Sequence, residues 1–99
     1  MIEARMGPCS LEMHGHAGFA PKGSDPVCAA ASGLAYALAY NLALREGRKV
    51  RDVEVLLDEG EARIRAANTP EARRMFCFAG NGLELLAQNF PENISVERA

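Results

Sequence analysis

The chain has 99 residues, of which 48% are hydrophobic and 24% are charged, and these proportions exclude a disordered or fibrous protein. Eleven Lys and Arg residues against thirteen Asp and Glu give a formal net charge of −2. That balance argues against a protein held to nucleic acid mainly by charge, because binding phosphates requires a basic face. The length is that of one domain, and we expect a single domain over residues 1–99.

The cysteine content predicts free thiols. Cys9, Cys28 and Cys77 are an odd number in a chain long enough to bury its own core, which is not typical of a disulfide framework. The first residues lack the apolar run of a signal peptide, so we expect a cytoplasmic protein. We interpret Cys77 as a packing residue, because Phe76 and Phe78 flank it in a helical pattern.

The apolar pattern predicts two strands, a helix, two strands, a second helix and a final strand. Alternating apolar and polar side chains place the strands at residues 2–6, 10–16, 53–58, 62–66 and 94–96. Both helices begin at a capping residue followed by proline, at Asp25-Pro26 and at Thr69-Pro70, and Gly47 ends the first. Amphipathic strands with two helices fit an α+β fold of two layers, a mixed or antiparallel sheet with both helices packed on one face.

The first helix is unusually apolar. Fifteen of the eighteen residues from 27 to 44 are apolar, but seven of those are alanine, and a membrane span needs about 20 predominantly apolar residues. We therefore expect no membrane association. A helix that is apolar on nearly all sides is more typical of an element between two packed surfaces. We expect a homodimer that buries part of one helix.

A candidate catalytic pair lies around the start of this helix. Cys28 is its third residue, where backbone N–H groups and the helix dipole stabilise a thiolate, so it is either a nucleophile or a small core residue. His16 ends the second strand, and the connecting loop is long enough for the two to meet as a Cys/His pair. N–H groups at the helix start are the expected oxyanion donors.

Two nearby polar residues have open roles. Asp25 either caps the helix only or also orients His16. Ser32 lies one turn after Cys28, where its hydroxyl could bond near the thiolate, position a substrate, or bond back to the Cys28 carbonyl. A zinc site formed by His14 and His16 with a cysteine is a further alternative, but no paired ligand spacing supports it.

The motif resembles that of a known family. Gly15-His16-Ala17-Gly18-Phe19-Ala20, then Gly23, then Asp25-Pro26-Val27-Cys28-Ala29-Ala30-Ala31-Ser32, is similar to the signature of the ribosomal-processing cysteine protease family, Prp. The closing pattern Gly82-Leu83-Glu84-Leu85-Leu86-Ala87 through Phe90-Pro91 to Ile94-Ser95-Val96 is similar too.

The resemblance implies a cysteine endopeptidase that removes the N-terminal extension of large-subunit ribosomal protein L twenty-seven. It implies Cys28 as nucleophile and His16 as general base, with Asp25 and Ser32 in support. It also implies a homodimer and a flexible loop between the catalytic residues that orders over substrate, here containing Gly18, Phe19 and Gly23. Neither a cofactor nor a metal is expected. The alternative function is a ribosome-assembly or peptide-binding module without catalytic activity.

Overall fold

The computed structural model describes all 99 residues, from Met1 to Ala99. The strands are β1 (Ile2–Gly7), β2 (Ser10–His14), β3 (Glu54–Asp58), β4 (Glu61–Arg65) and β5 (Ile94–Arg98), and the helices are α1 (Pro26–Arg45) and α2 (Pro70–Asn89). The order ββαββαβ and the α+β fold with a mixed sheet are confirmed. The main differences in boundaries are that β2 ends two residues earlier than predicted, at His14, and that β5 ends two residues later, at Arg98.

The five strands form one sheet in the order β3-β4-β2-β1-β5. β1 runs parallel to β5, and the other neighbouring strands are antiparallel. Directly opposite residues in a sheet share a face, and the register places Leu11 between Met6 of β1 and Ile64 of β4. These three side chains are fully buried under the helices, so this face of the sheet forms the core.

Both helices pack on that face through regularly spaced residues. Asp25 caps α1 with its side chain, and Thr69 caps α2, each followed by proline as the sequence predicts. By length and composition alone, α1 could cross a membrane, with a mean hydropathy of 1.5 over an 18-residue window. It contributes these buried residues to the core: Val27, Ala31, Ala35, Leu38, Ala39 and Leu42.

Two glycines allow α2 to approach its neighbours closely. A Cβ at Gly80 would lie 2.7 Å from Met6 Sδ of β1, and one at Gly82 would lie 2.9 Å from Leu34 Cδ1 of α1. Glycine lowers the intrinsic stability of a helix interior, yet α2 continues through both positions. Packing against the sheet and α1 compensates for that lower propensity.

The helices leave part of the apolar surface uncovered. Val55 and Leu57 of the edge strand β3 lie on the core face of the sheet, but they remain 45% and 39% exposed in an open groove beside Tyr36 and Tyr40 of α1. On the outer side of α2, Phe78 is 79% exposed. Cys77 is exposed as well, so its interpretation as a packing residue is wrong.

Candidate active site

The first turn of α1 holds Cys28 in a half-buried position. Asp25 Oδ1 accepts hydrogen bonds from Val27 N at 2.9 Å and from Cys28 N at 3.2 Å, which fixes where the helix begins. Cys28 is therefore the third helical residue, as the sequence predicts. All three cysteines are free thiols.

The thiol of Cys28 accepts a hydrogen bond from the loop that precedes the helix. Ala17 N donates to Cys28 Sγ over 3.1 Å, and Ala17 is itself buried. The donating nitrogen belongs to the peptide bond that joins His16 to Ala17, so this contact brings the backbone of His16 next to the sulfur. A backbone N–H aimed at sulfur favours negative charge there.

His16 lies just beyond the end of β2. Gly15 has a φ of +100°, and a Cβ at this position would lie 2.3 Å from Met1 O, so only glycine fits the turn that ends the strand. Gly15 N donates to Gly60 O at 3.0 Å in the turn between β3 and β4. The His16 ring rests against that turn, with Nε2 3.0 Å from where a Cβ of Gly60 would be.

His16 and Cys28 line the same cavity, whose volume is about 400 Å³, within the range of ligand-binding clefts. The helix start and the loop before it form one wall, and the turn between β3 and β4 forms another with the acidic residues Asp58, Glu59 and Glu61. The His16 imidazole packs against Gly60 and makes no hydrogen bond to Cys28 Sγ in this arrangement. Catalytic hydrogen bonds often become shorter only in the complex with substrate.

Asp25 has a larger role than a helix cap. Its Oδ2 accepts hydrogen bonds from Phe19 N at 2.9 Å and Ala20 N at 3.1 Å, in addition to the two that Oδ1 accepts from α1. Burial raises the pKa of the Asp25 carboxyl, but the four backbone donors outweigh it and hold the pKa below the ordinary value of 3.8. No hydrogen bond joins Asp25 to His16, so the carboxylate organises the loop and the helix start.

The N–H groups at the start of α1, which the sequence predicts as oxyanion donors, already make hydrogen bonds to Asp25. Val27 N and Cys28 N donate to the Asp25 side chain, and Ala29 N donates to Asp25 O at 3.0 Å. The N–H groups at the helix start are therefore already paired, contrary to the expectation from the sequence. Ala17 N is the backbone donor that this structure places at the Cys28 sulfur.

The junction between α2 and β5 holds the loop from the other side. Asn93 Nδ2 donates to Ala17 O at 2.9 Å. The rings of Phe19 and Phe90 meet edge to face, with centroids 5.3 Å apart. Asn93 could not be predicted as part of the site from the sequence, because it lies 76 residues from Ala17 and its local pattern shows only a turn before a strand. The mobility of the loop without substrate stays a prediction.

Three of the four remaining candidates line the cavity. Ser32, Gly18 and Gly23 do so, whereas Phe19 packs on Phe90. Nowhere in the chain do three or more His, Cys, Asp or Glu side chains form a group that could hold a metal ion, so the alternative zinc site has no ligand cluster.

A free thiol at a helix start and an imidazole in the same cleft are groups of the kind that cysteine proteases use as nucleophile and base. The family model described as cysteine protease Prp matches residues 1–95. The chain therefore belongs to the Prp family of cysteine proteases.

Solved structures have the same fold over the whole chain. One is the ribosomal processing protease Prp from S. aureus with a covalently linked product peptide, which superimposes with a TM-score of 0.87 at 23% identity. The same S. aureus protease in complex with a substrate peptide gives a TM-score of 0.81 at 22% identity. Both comparisons cover 100% of this chain and 100% of the other. SMU.848 from Streptococcus mutans gives 0.75 at 24% identity over 99% of this chain and 93% of that one. No curated protein matches the chain at a significant level.

Proposed function

We propose that this protease removes the N-terminal extension of large-subunit ribosomal protein L twenty-seven, with Cys28 as nucleophile and His16 as general base. The observation that carries the proposal is that both side chains line one cavity while the amide between His16 and Ala17 donates to Cys28 Sγ. The similar S. aureus structures are of a ribosomal processing protease with substrate and product peptides, which supports a peptide substrate for this chain too.

The reaction uses groups of the chain alone. The His16 ring turns from Gly60 towards the sulfur and takes its proton, and a sulfur electron pair forms a bond to the scissile carbonyl carbon. The carbonyl π electrons move to oxygen and then return as the C–N bond breaks, and the leaving amine takes the proton from His16. Water, deprotonated by His16, attacks the thioester and releases the carboxylic acid and the Cys28 thiol.

The cavity walls suggest how an extended peptide is held. Gly18 and Gly23 line the cleft from the loop, and Ser32 lines it one turn further along α1. The Ser32 hydroxyl lines the cavity and makes no hydrogen bond back to the Cys28 carbonyl, so it is available to a substrate. We propose that the loop closes over the bound extension and that Ser32 positions it.

We also propose that two copies associate through the helical layer. The outer surface of α1 exposes Tyr36, Tyr40 and Leu44, and that of α2 exposes Phe78 and Leu85. Isolated exposed apolar residues are ordinary, but a continuous apolar surface marks an interaction site. Sedimentation velocity at micromolar concentration should show a dimer, and Tyr40→Glu should weaken it. A monomer at every concentration would contradict this part of the proposal.

The activity belongs in the cytoplasm, where ribosomal proteins are made and thiols stay reduced. The decisive test incubates the protein with a peptide that spans the extension and the first mature residues of the ribosomal protein from the same genome. Cleavage should stop in Cys28→Ala and in His16→Ala and should continue in Cys77→Ala, which removes an exposed thiol outside the cavity.

The same variants separate a protease of this specificity from a peptide-binding module. Cys28→Ala should still bind the extension peptide, because the substitution removes one sulfur atom from the cavity wall. If Cys28→Ala cleaves as fast as the unsubstituted protein, Cys28 is not the nucleophile. If the unsubstituted protein binds the peptide without cleaving it, the proposed substrate is wrong.

A further inference from the structure

Both polar groups of the Ala17 backbone, its N–H and its carbonyl, make hydrogen bonds to side chains. Its N–H donates to Cys28 Sγ at 3.1 Å, and its carbonyl accepts from Asn93 Nδ2 at 2.9 Å. Ala17 is 2% exposed, so water does not compete freely for either bond. One residue thus connects the sulfur to the side chain of Asn93.

Asn93 is anchored firmly enough to hold that residue in place. Its N–H donates to Phe90 O at 2.9 Å, in the turn that follows α2, and its carbonyl accepts from Ile2 N at 2.9 Å at the start of β1. The next residue, Ile94, is fully buried in β5. The backbone of Asn93 is therefore held between the end of α2 and the start of β1, immediately before β5, and its side chain in turn holds the loop.

We propose that Asn93 is a positioning residue for the catalytic thiol, acting through the peptide of Ala17. By holding the Ala17 carbonyl, it keeps the Ala17 N–H aimed at Cys28 Sγ. This inference rests on the proposed role of Cys28 as nucleophile. The N–H first stabilises negative charge on sulfur and then, once the sulfur electron pair has formed the bond to carbon, lies next to the carbonyl oxygen that receives the charge.

The paired N–H groups at the helix start strengthen this assignment. Val27 N and Cys28 N already donate to Asp25, so they would have to leave a carboxylate to serve an oxyanion. Ala17 N needs no such exchange, because its acceptor is the sulfur that loses its charge as the oxyanion forms. A donor placed in advance gains most from a rigid support, and Asn93 supplies that support.

The test compares Asn93→Ala and Asn93→Asp with the matched control Asn89→Ala. Asn93→Asp keeps the shape of the side chain but places a carboxylate oxygen against the Ala17 carbonyl. Asn89 is an exposed asparagine in the last turn of α2 and is away from the cavity. The readouts are kcat and KM on the extension peptide, and the rate at which iodoacetamide modifies Cys28, located by peptide mapping.

A positioning role predicts a specific pattern of changes. In both Asn93 variants, kcat should fall about tenfold, the effect of one net hydrogen bond, with KM changed by less than about twofold. The rate of Cys28 alkylation at about pH 6.5, divided by the rate at about pH 9, should also fall severalfold in these variants, because a smaller fraction of Cys28 is then thiolate at the lower pH. Asn89→Ala should leave all three unchanged.

A merely structural hydrogen bond gives a different result. If both Asn93 variants melt at a lower temperature but keep kcat and the alkylation ratio, the inference is overturned. If the peptide is not a substrate even for the unsubstituted protein, the alkylation ratio alone decides the role of Asn93, and only the proposed function fails.

A measurement on the intact site covers the case in which the Asn93 variants do not fold. The amide resonance of Ala17 should shift when Cys28 ionises, and its hydrogen exchange should be faster in Cys28→Ala, because the sulfur acceptor is gone. An Ala17 amide that responds to neither change would overturn the inference.

Discussion

The aromatic contact between Phe19 and Phe90 makes the closure of the loop measurable. An edge-to-face pair contributes about 0.5–1.5 kcal/mol beyond simple burial. Because Phe19 is 50% exposed, we take the lower part of that range, about 0.5–1 kcal/mol, which corresponds to a change of about two- to fivefold in the equilibrium between closed and open loop. Phe19→Ala should therefore increase the population of the open loop by about that factor.

Hydrogen exchange at the Ala20 amide provides the assay, because this N–H is protected by Asp25 Oδ2 only while the loop is in place. Phe19→Ala and Phe90→Ala should each increase the exchange rate of the Ala20 amide at least about twofold. In the double variant, the increase should be about two- to fivefold smaller than the product of the two single increases. Phe78→Ala, which removes an exposed ring elsewhere on α2, should leave the rate unchanged. Fully multiplicative effects would refute the coupling between the two rings.

Three further outcomes follow from other contacts. Asp25→Asn keeps the helix cap but loses the acceptor for two loop amides. Because folding lowers the pKa of Asp25, its stabilisation is fully present above 3.8 and is lost as the pH falls through the folded value. The difference between the urea midpoints of the two proteins should therefore be largest at about pH 6 and shrink as the pH falls below 3.8, and a difference that stays constant would contradict this. Gly60→Ala places a Cβ 3.0 Å from His16 Nε2 at a φ of +72°, so kcat should fall severalfold. Gly47→Ala is also strained, at a φ of +90°, but its Cβ would face open space, so this control should lose stability only. Equal kcat in both variants would exclude the contact between residue 60 and His16 as the cause. Phe76→Ala should lower the free energy of unfolding by about 3–5 kcal/mol, because the ring is fully buried, and a loss below about 1 kcal/mol in urea unfolding would show that the core tolerates the cavity.

The start of α1 could be predicted from the sequence because its determinants are local. Asp25 and Pro26 are neighbours of Cys28, and a cap followed by proline acts within one helical turn. The strand end and the connecting loop suggested His16 as a possible partner of Cys28, and the family resemblance implied the same pair. The structure places both side chains in one cavity, although no hydrogen bond joins them.

The exposed residues were harder to predict. An alternating or helical pattern shows which side of an element is apolar, but it does not show how far the opposing layer extends. Leu57 therefore lies on the core face and is still exposed, and Cys77 is exposed although aromatic residues flank it. The outcome depends on the lengths and positions of two helices over five strands, which no local pattern encodes.

The sequence by itself determined the order of elements, the helix caps and the position of the thiol in the first turn, since each depends on side chains within a few residues of one another. Only the tertiary structure decided what holds the site together. Asn93 reaches Ala17 across 76 residues, Gly60 leaves room for the His16 ring, and the two oxygens of Asp25 serve both the helix and the loop. These contacts join segments distant in the chain, and only the packing of the sheet and the helices brings them within hydrogen-bonding distance.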